Sequence, residues 1–185
     1  MLLVSQNLTN YMSFPDSAVV RINLAWVEDL SLLQEHIRQI SNNIYLDLPV
    51  GRTKPPNNSY TIKDLNEIIV ENRNIKFLAI SNVEKKEHIG NFIETFNDTV
   101  TIVPKIETKK GVDNIEDICS ILPDNKYIML DHDDLFSDLI KLEIMPSEFI
   151  TYIQRLSSYC SENSINLLKT RGVVFSDEDR YNFNE

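Results

Sequence analysis

The segment Pro104-Lys105-Ile106-Glu107 carries the most specific chemistry in the sequence. It ends an apolar, β-branched run, Val100–Glu107, that is typical of a strand. Side chains alternate along a strand with a period of two, so Lys105 and Glu107 are expected to share one face. Burying two charges is unfavourable unless they meet a partner or a metal ion. A structural Lys–Glu ion pair at a strand end is the alternative explanation of this motif taken alone.

An acidic run, Asp131-His132-Asp133-Asp134, directly follows the next apolar run. Together with Glu107, a carboxylate from Asp134 or Asp131 would form a site of hard oxygen ligands suited to Mg2+ or Mn2+. Lys105 would then lie beside the metal ion and stabilise negative charge that develops on a bound oxyacid. The two motifs together therefore indicate a metal-assisted site.

Polar side chains also close the other apolar runs. Arg21 and Asn23 end the second run, Asp47 the third, Ser81 and Asn82 the fourth, and Lys169 and Thr170 the seventh. The carboxyl ends of parallel strands meet at one rim, where ligands bind in α/β folds. Helix caps alone account for part of this pattern, but not for an arginine and two lysines at one rim. We therefore expect a ligand site there.

The elements that must position these residues alternate between strands and helices. Seven strand-like runs are Leu2–Ser5, Ala18–Leu24, Ile44–Leu48, Lys76–Ser81, Val100–Glu107, Lys126–Asp131 and Ile165–Thr170. Helical periodicity occupies Val27–Asn42, Thr61–Glu71, Val83–Phe96, Val112–Leu122, Asp133–Leu142 and Pro146–Ser161. Runs that are apolar throughout suit strands buried on both faces, so the pattern predicts βαβ units and a parallel sheet.

The predicted fold is a shortened (β/α)8 TIM-type barrel that forms a single domain over residues 1–185. A full barrel usually takes about 200–250 residues, and seven strands are clear in this sequence. The segment Val173-Val174-Phe175 is the only candidate for an eighth strand, which leaves closure of the barrel open. A turn-rich stretch, Gly51–Tyr60, is expected to be a surface loop.

Composition excludes several classes of function. The net charge of −10 argues against a general nucleic-acid binder, which needs a basic face. No apolar run is long enough for a membrane span, and two cysteines without Cys-x-x-Cys spacing fit a reducing compartment, so a cytoplasmic protein is expected. The four glycines form neither a dinucleotide-binding nor a P-loop motif.

The strand ends also resemble those of a known family in order and spacing, from about Leu2 to Thr170. The matching pieces are Arg21-Ile22-Asn23, Asp47 followed by Gly51-Arg52, Lys105-Ile106-Glu107 followed by Gly111-Val112, Asp134-Leu135 and Met145-Pro146-Ser147-Glu148. This pattern resembles the pyruvate kinase barrel, within the wider group of phosphoenolpyruvate/pyruvate-binding TIM barrels. That group includes the citrate lyase-like and HpcH/HpaI-type aldolases.

The resemblance implies a role for each matching residue. Lys105 and Thr170 would be catalytic, Arg21 and Arg52 would bind substrate, Glu107 and Asp134 would bind Mg2+ or Mn2+, and Asn23 and Asp47 would bind a monovalent cation such as K+. Asp131 and Asp133 remain alternatives to Asp134 as the second metal ligand. A small 2-oxo acid or phosphoenolpyruvate is the expected partner, and an open strand edge would favour a homo-oligomer.

Departures from the kinase pattern are equally informative. Ala25-Trp26 stand where the kinases carry Ser-His, the lid is reduced to Gly51–Tyr60, and the C-terminal regulatory domain is missing. We expect Trp26 to pack beneath the rim. The segment Asp134–Leu139 resembles the aldolase/lyase branch as much as the kinases. True pyruvate kinase activity is therefore not expected.

The leading hypothesis is a metal-dependent enzyme that acts on pyruvate, phosphoenolpyruvate or a related 2-oxo acid through an enolate, in the manner of a lyase or aldolase. The alternative is a degenerate, non-catalytic barrel that acts as a ligand-binding or protein-interaction module. A third hypothesis is an accessory protein with unrelated chemistry, because a fold alone does not fix a function.

Overall fold

Seven parallel strands form one curled sheet in the computed structural model, which describes residues 1–8, 14–52, 55–96 and 98–169. Each strand pairs with the strand before it in the sequence, so the spatial order is the chain order. The strands are β1 (Leu3–Ser5), β2 (Val19–Asn23), β3 (Asn43–Leu48), β4 (Ile75–Ile80), β5 (Thr101–Ile106), β6 (Tyr127–Leu130) and β7 (Asn166–Lys169). All seven predicted strands are confirmed.

Helices cover the outer face of the sheet. They are α1 (Leu30–Arg38), α2 (Ile62–Glu71), α3 (Glu87–Phe96), α4 (Lys109–Asp113), α5 (Ile115–Ser120), α6 (His132–Lys141) and α7 (Phe149–Glu162). Short 3-10 turns lie at Gln6–Leu8, Leu24–Trp26 and Pro146–Glu148. This alternation of strands and helices confirms the shortened TIM-type barrel.

Caps explain where several helices begin. Thr61 caps α2, since its hydroxyl accepts from the Asp64 backbone N–H and the Asp64 side chain accepts from the Thr61 N–H. Asp29 caps α1 by accepting from the Leu32 N–H, which makes that helix start later than the periodicity indicated.

The predicted helix Val112–Leu122 is instead two short helices. Thr108 caps α4 by accepting from the Gly111 N–H, and α4 ends at Asp113. The Asn114 side chain donates to the Glu84 carbonyl, 2.8 Å away, at the point where α4 gives way to α5. The boundary between α4 and α5 therefore coincides with a hydrogen bond that joins this segment to the loop after β4.

The apolar residues divide into two clusters on the two faces of the sheet. The larger cluster fills the layer between the strands and the helices. The smaller one lines the inner, concave face and consists of Val19, Tyr45, Ala79, Val103 and Met129. Tyr45 is fully buried there, and its hydroxyl lies 3.2 Å from the Met129 sulfur. Burial on both faces is the reason that the strand sequences are apolar throughout.

The half-barrel is open between β1 and β7, which do not pair with each other in the described part of the chain. A cleft of about 810 Å3 lies between them. The candidate eighth strand, Val173–Phe175, falls outside the described residues. Within the described residues, no helix is long and apolar enough to cross a membrane.

Candidate functional site

The inward-facing side of each strand changes from apolar to polar towards its carboxyl end. On β2, Val19 belongs to the inner apolar cluster, and the next inward positions are Arg21 and Asn23. On β5, Val103 is followed by Lys105 two residues later. The period of two that places the apolar residues in the interior therefore also places these polar residues at the mouth of the half-barrel.

One cleft of about 460 Å3 at the mouth collects the residues that the sequence singled out. Its lining includes Arg21, Asn23, Asp47, Arg52, Lys105, Glu107 and Asp134, and also Ser81, Asn82 and Asp131. Thr170 lies outside the described residues, so nothing is known of its place. The roles assigned to these residues stay predictions, but their proximity is a feature of the structure.

Arg21 and Asp47 form an ion pair across β2 and β3. The Arg21 Nε donates to Asp47 Oδ2 over 2.8 Å, and its Nη2 contacts the same oxygen. Burial alone would lower the pKa of Arg21, but the adjacent Asp47 carboxylate raises it above its ordinary value. Arg21 is therefore a fixed positive charge in the wall of the mouth.

Lys105 is almost completely buried, with 4% of its surface exposed. Its Nζ lies 2.7 Å from Glu107 Oε1, 3.3 Å from Asp47 Oδ1 and 3.2 Å from the Ser81 hydroxyl. Burial favours the neutral amine, but the Asp47 and Glu107 carboxylates outweigh it and raise the pKa of Lys105. The ammonium therefore stays charged inside the half-barrel.

Glu107 follows β5 and is equally buried. Its Oε1 accepts from Lys105, and its Oε2 accepts from the Asn82 backbone N–H over 2.7 Å. Burial raises the pKa of this carboxyl above its ordinary value despite both partners, and the nearby Asp131 carboxylate adds to the increase. A positive charge beside Glu107 would therefore favour its ionised form.

Three carboxylates meet at this point. Glu107, Asp131 and Asp134 each offer an oxygen, and these oxygens lie within 4.8 Å of one another. Asp131 caps α6 through the Asp134 N–H, so the start of that helix holds both aspartates beside Glu107. The donor set consists of carboxylate oxygens alone, which fits Mg2+ or Mn2+ better than a soft metal ion. Asp131 thus joins Asp134 rather than replacing it, and Asp133 is not in the cluster.

The residues predicted to bind a monovalent cation face other protein groups. Asp47 Oδ2 accepts from Arg21, and Asp47 Oδ1 faces Lys105. The Asn23 side chain accepts from the Ala25 N–H and caps the 3-10 turn after β2. A K+ ion at these two residues therefore stays a prediction.

Trp26 does not pack beneath the rim, and that prediction is wrong. Its side chain is 66% exposed, although its two neighbours are held firmly. The Asn58 side chain donates to the Ala25 carbonyl, and the Tyr60 hydroxyl donates to the Val27 carbonyl. The two residues before it, Leu24 and Ala25, are buried.

Sequence reasoning gave no role to two residues after β4. Ser81 accepts from Lys105, and Asn82 donates its backbone N–H to Glu107. Both are ordinary cap and turn residues at the end of a strand, so their type alone does not distinguish them. The sequence places both at the same rim as the Lys105 motif, but their contacts with Lys105 and Glu107 depend on the pairing of β4 with β5.

Comparison with known proteins finds chains of similar fold among the solved structures. No family model and no curated protein matches the chain. RipC from Yersinia pestis has a TM-score of 0.59 and 18% identity, covering 96% of this chain and 77% of its own. An HpcH/HpaI aldolase/citrate lyase family protein from Burkholderia cenocepacia has a TM-score of 0.64 and 12% identity, covering 91% and 77%. Macrophomate synthase has a TM-score of 0.61 and 16% identity, covering 90% and 70%.

These likenesses concern the fold. They support the barrel-type α/β fold, and one of the three similar structures is described as an HpcH/HpaI aldolase/citrate lyase family protein. The narrower likeness to pyruvate kinase is not confirmed. At identities below one fifth, substrate and chemistry must be argued from this chain's own residues.

Proposed function

We propose that this protein is a divalent-metal-dependent enzyme that acts on pyruvate, phosphoenolpyruvate or a related 2-oxo acid through an enolate. The observation that carries the proposal is the Glu107, Asp131 and Asp134 cluster, whose oxygens lie within 4.8 Å of one another. The buried ammonium of Lys105 lies 2.7 Å from the first of these carboxylates. Hard oxygen ligands beside a fixed cation suit an acid whose reaction develops negative charge on oxygen.

A divalent cation held by Glu107, Asp131 and Asp134 would supply Lewis-acid polarisation of the 2-oxo group. Lys105 would stabilise the negative charge that develops on that oxygen, because its ammonium is fixed before the reaction begins. The guanidinium of Arg21 would bind a second carboxylate or a phosphate of the substrate, with Asp47 holding it in place. Arg52, which lines the same mouth, would add to this anion-binding side.

Lyase or aldolase chemistry fits the chain better than phosphoryl transfer to a nucleotide. In carbon–carbon cleavage, the hydroxyl of the departing fragment gives its proton to a base and becomes a carbonyl, and the electron pair of the broken carbon–carbon bond becomes that of the enolate, which then takes up a proton at carbon. Stabilising the enolate needs a metal ion and a positively charged side chain at one oxygen, and it needs no nucleotide site. The sequence has no glycine-rich phosphate loop. The aldolase/citrate lyase family protein among the similar structures supports the same choice.

The test is the exchange of pyruvate methyl hydrogens in D2O, followed by one-dimensional proton NMR with Mg2+ or Mn2+. Enolate formation replaces hydrogen by deuterium, so the methyl signal decays. We expect metal-dependent decay in the wild type and a loss of about a hundredfold or more in Lys105→Ala. Lys76→Ala, at an exposed position of β4, is the matched control and should exchange like the wild type.

Lys105→Ala leaves the buried Glu107 without its ion-pair partner and Asp47 with Arg21 alone, so its folding must be checked by circular dichroism. Lys105→Arg keeps the charge but moves it, and serves as the second variant. Absence of decay in folded wild-type protein that binds the metal ion would contradict the proposal. Attention would then turn to the non-catalytic, ligand-binding hypothesis.

A further inference from the structure

Asn82 has an unusual backbone conformation at the mouth of the half-barrel. Its φ is +55°, directly after β4, and among the four described non-glycine residues with positive φ it is the one that lines the mouth. Asparagine tolerates this left-handed region better than most residues other than glycine. Such residues persist where the surrounding structure holds them, and they concentrate at functional sites.

The contacts of Asn82 join three strand ends. Its backbone N–H donates to Glu107 Oε2, after β5, over 2.7 Å. Its side-chain Nδ2 donates to the Val50 carbonyl, after β3, also over 2.7 Å. The left-handed turn is therefore accompanied by two short hydrogen bonds to two different segments of the mouth.

The first contact acts on the metal side of the site. A hydrogen bond from a backbone N–H to a carboxylate is charge-assisted and sets the direction of the carboxylate. The partners that orient metal-ligating side chains typically contribute ten- to a hundredfold to metal affinity. Glu107 is one of the three clustered carboxylates, so the Asn82 N–H helps to determine where that cluster converges.

The second contact acts on the anion side. Val50 precedes Gly51, which has a φ of +72°, and Gly51 precedes Arg52 in the loop after β3. The bond from the Asn82 side chain to Val50 ties this loop to the end of β4. Arg52 and Asn82 line the same cleft.

We propose that Asn82 is a positioning residue with two separable parts. Its backbone N–H orients Glu107 for the divalent cation, and its side chain fixes the Val50–Arg52 loop for the anionic end of the substrate. The identity of these two ligands rests on the proposed function, but the two effects are measured by binding alone.

Two substitutions at this position separate the two parts. Glycine adopts a positive φ readily, so Asn82→Gly keeps the N–H bond to Glu107 and removes only the side-chain bond. Alanine resists that conformation, so Asn82→Ala disturbs both. We expect the Mn2+ dissociation constant, measured by titration calorimetry, to stay within about twofold of wild type in Asn82→Gly and to rise about tenfold in Asn82→Ala.

2-Phosphoglycolate is the probe for the anion side, because its carboxylate can bind the metal ion while its phosphate meets the anion side. At saturating Mn2+ we expect 2-phosphoglycolate to bind about three- to tenfold more weakly to Asn82→Gly than to wild type, which is the effect of one hydrogen bond. Asn125→Ala is the matched control. Asn125 has a φ of +60° just before β6, at the opposite end of the sheet, so this variant carries a similar backbone strain away from the mouth.

Each outcome decides the proposal. Equal Mn2+ affinity in wild type, Asn82→Gly and Asn82→Ala would overturn the assignment of the backbone N–H. An equal loss in Asn82→Ala and Asn125→Ala would reduce the effect to general strain and overturn it as well. Unchanged 2-phosphoglycolate affinity in Asn82→Gly would overturn the side-chain part. Wild-type protein that binds no Mn2+ would overturn both this inference and the proposed function, whereas Mn2+ binding without methyl exchange would contradict the proposed function alone.

Discussion

Lys105 shows how a single charged side chain can be kept inside an apolar half-barrel. An ammonium has three hydrogens, and the Lys105 Nζ has acceptors in Asp47, Glu107 and Ser81. Two of these acceptors are charged, so the attraction offsets the unfavourable burial. The same contacts fix the direction of the ammonium, which is the condition for electrostatic stabilisation of a reacting oxygen.

At the residue scale, we expect divalent-metal binding to weaken at a higher pH than it would if the ligand were an exposed glutamate. Burial raises the pKa of Glu107, and a carboxylate must lose its proton before it can bind a metal ion. Mn2+ affinity should therefore fall as the pH decreases through this raised pKa. Titration calorimetry at several pH values would measure the effect, with Glu107→Gln as the reference variant in which that step is missing. A wild-type profile that remains flat down to the pKa of an ordinary glutamate would contradict the expectation.

The principal side chains of the site were predictable because strand periodicity carries them. Lys105 and Glu107 are two residues apart on one strand, and Arg21 and Asn23 are two apart on another, so both pairs face inwards. Local periodicity could not predict that Asp47 forms ion pairs with both Arg21 and Lys105, because these pairs depend on which strands are neighbours. The backbone of Asn82 could not be predicted either, since a positive φ leaves no distinct mark on an asparagine in a turn.

At the scale of elements, α4 is placed by an unusually close approach to the loop after β4. A Cβ added to Gly111 would lie 2.7 Å from the Val83 carbonyl oxygen and 3.3 Å from an Ile106 methyl group. Only glycine allows α4 to pack this closely against the residue that follows Asn82. The short helix that follows Glu107 is thereby pinned to the wall of the mouth.

Two glycine substitutions should change stability in opposite directions. Gly111→Ala should lower the free energy of unfolding by about 1–3 kcal/mol, because the added methyl group meets backbone. Gly90→Ala lies within α3 with no atom within 4 Å of the new Cβ, and it should raise that free energy by about 0.5–1 kcal/mol. Urea unfolding followed by circular dichroism would measure both. Equal effects of the two substitutions would show that close packing at Gly111 is unimportant.

The strands were predictable at this scale, and the helices only in part. Continuous apolar runs predicted every described strand, and each predicted bound lies within one residue of the observed bound. The division of Val112–Leu122 into α4 and α5 was missed because its causes are the contact of Gly111 with Val83 and that of Asn114 with Glu84. Both contacts join segments about 30 residues apart, which periodicity within one segment cannot detect.

At the scale of the whole molecule, two parts of the chain supply two sides of one site. Strands β2 and β3 bring Arg21 and Asp47, whereas β5 and the start of α6 bring the metal-ligating candidates. The ion pairs that link Arg21, Asp47, Lys105 and Glu107 balance their own charges. Asp131 and Asp134 add two further negative charges beside these four residues, on a protein whose net charge is −10.

Divalent cations should therefore stabilise the whole fold specifically. A ligand that binds only the folded state, at 100 times its dissociation constant, adds about 2.7 kcal/mol to the free energy of unfolding. We expect Mg2+ or Mn2+ to raise the melting temperature, and the double variant Asp131→Asn/Asp134→Asn to lose most of that increase. Differential scanning calorimetry at constant ionic strength, with NaCl as the control, separates binding from screening. An equal increase with NaCl would exclude a specific site.

The order of the strands in the sheet has a consequence for folding during synthesis. Every strand pairs with its predecessor, so each new strand can dock on one that is already in place as the chain leaves the ribosome. Arg21 and Asp47 can meet once β3 has formed, but Glu107 has to wait for β5, and Asp131 and Asp134 for the start of α6. A nascent chain can therefore form the Arg21–Asp47 ion pair well before the three clustered carboxylates can meet.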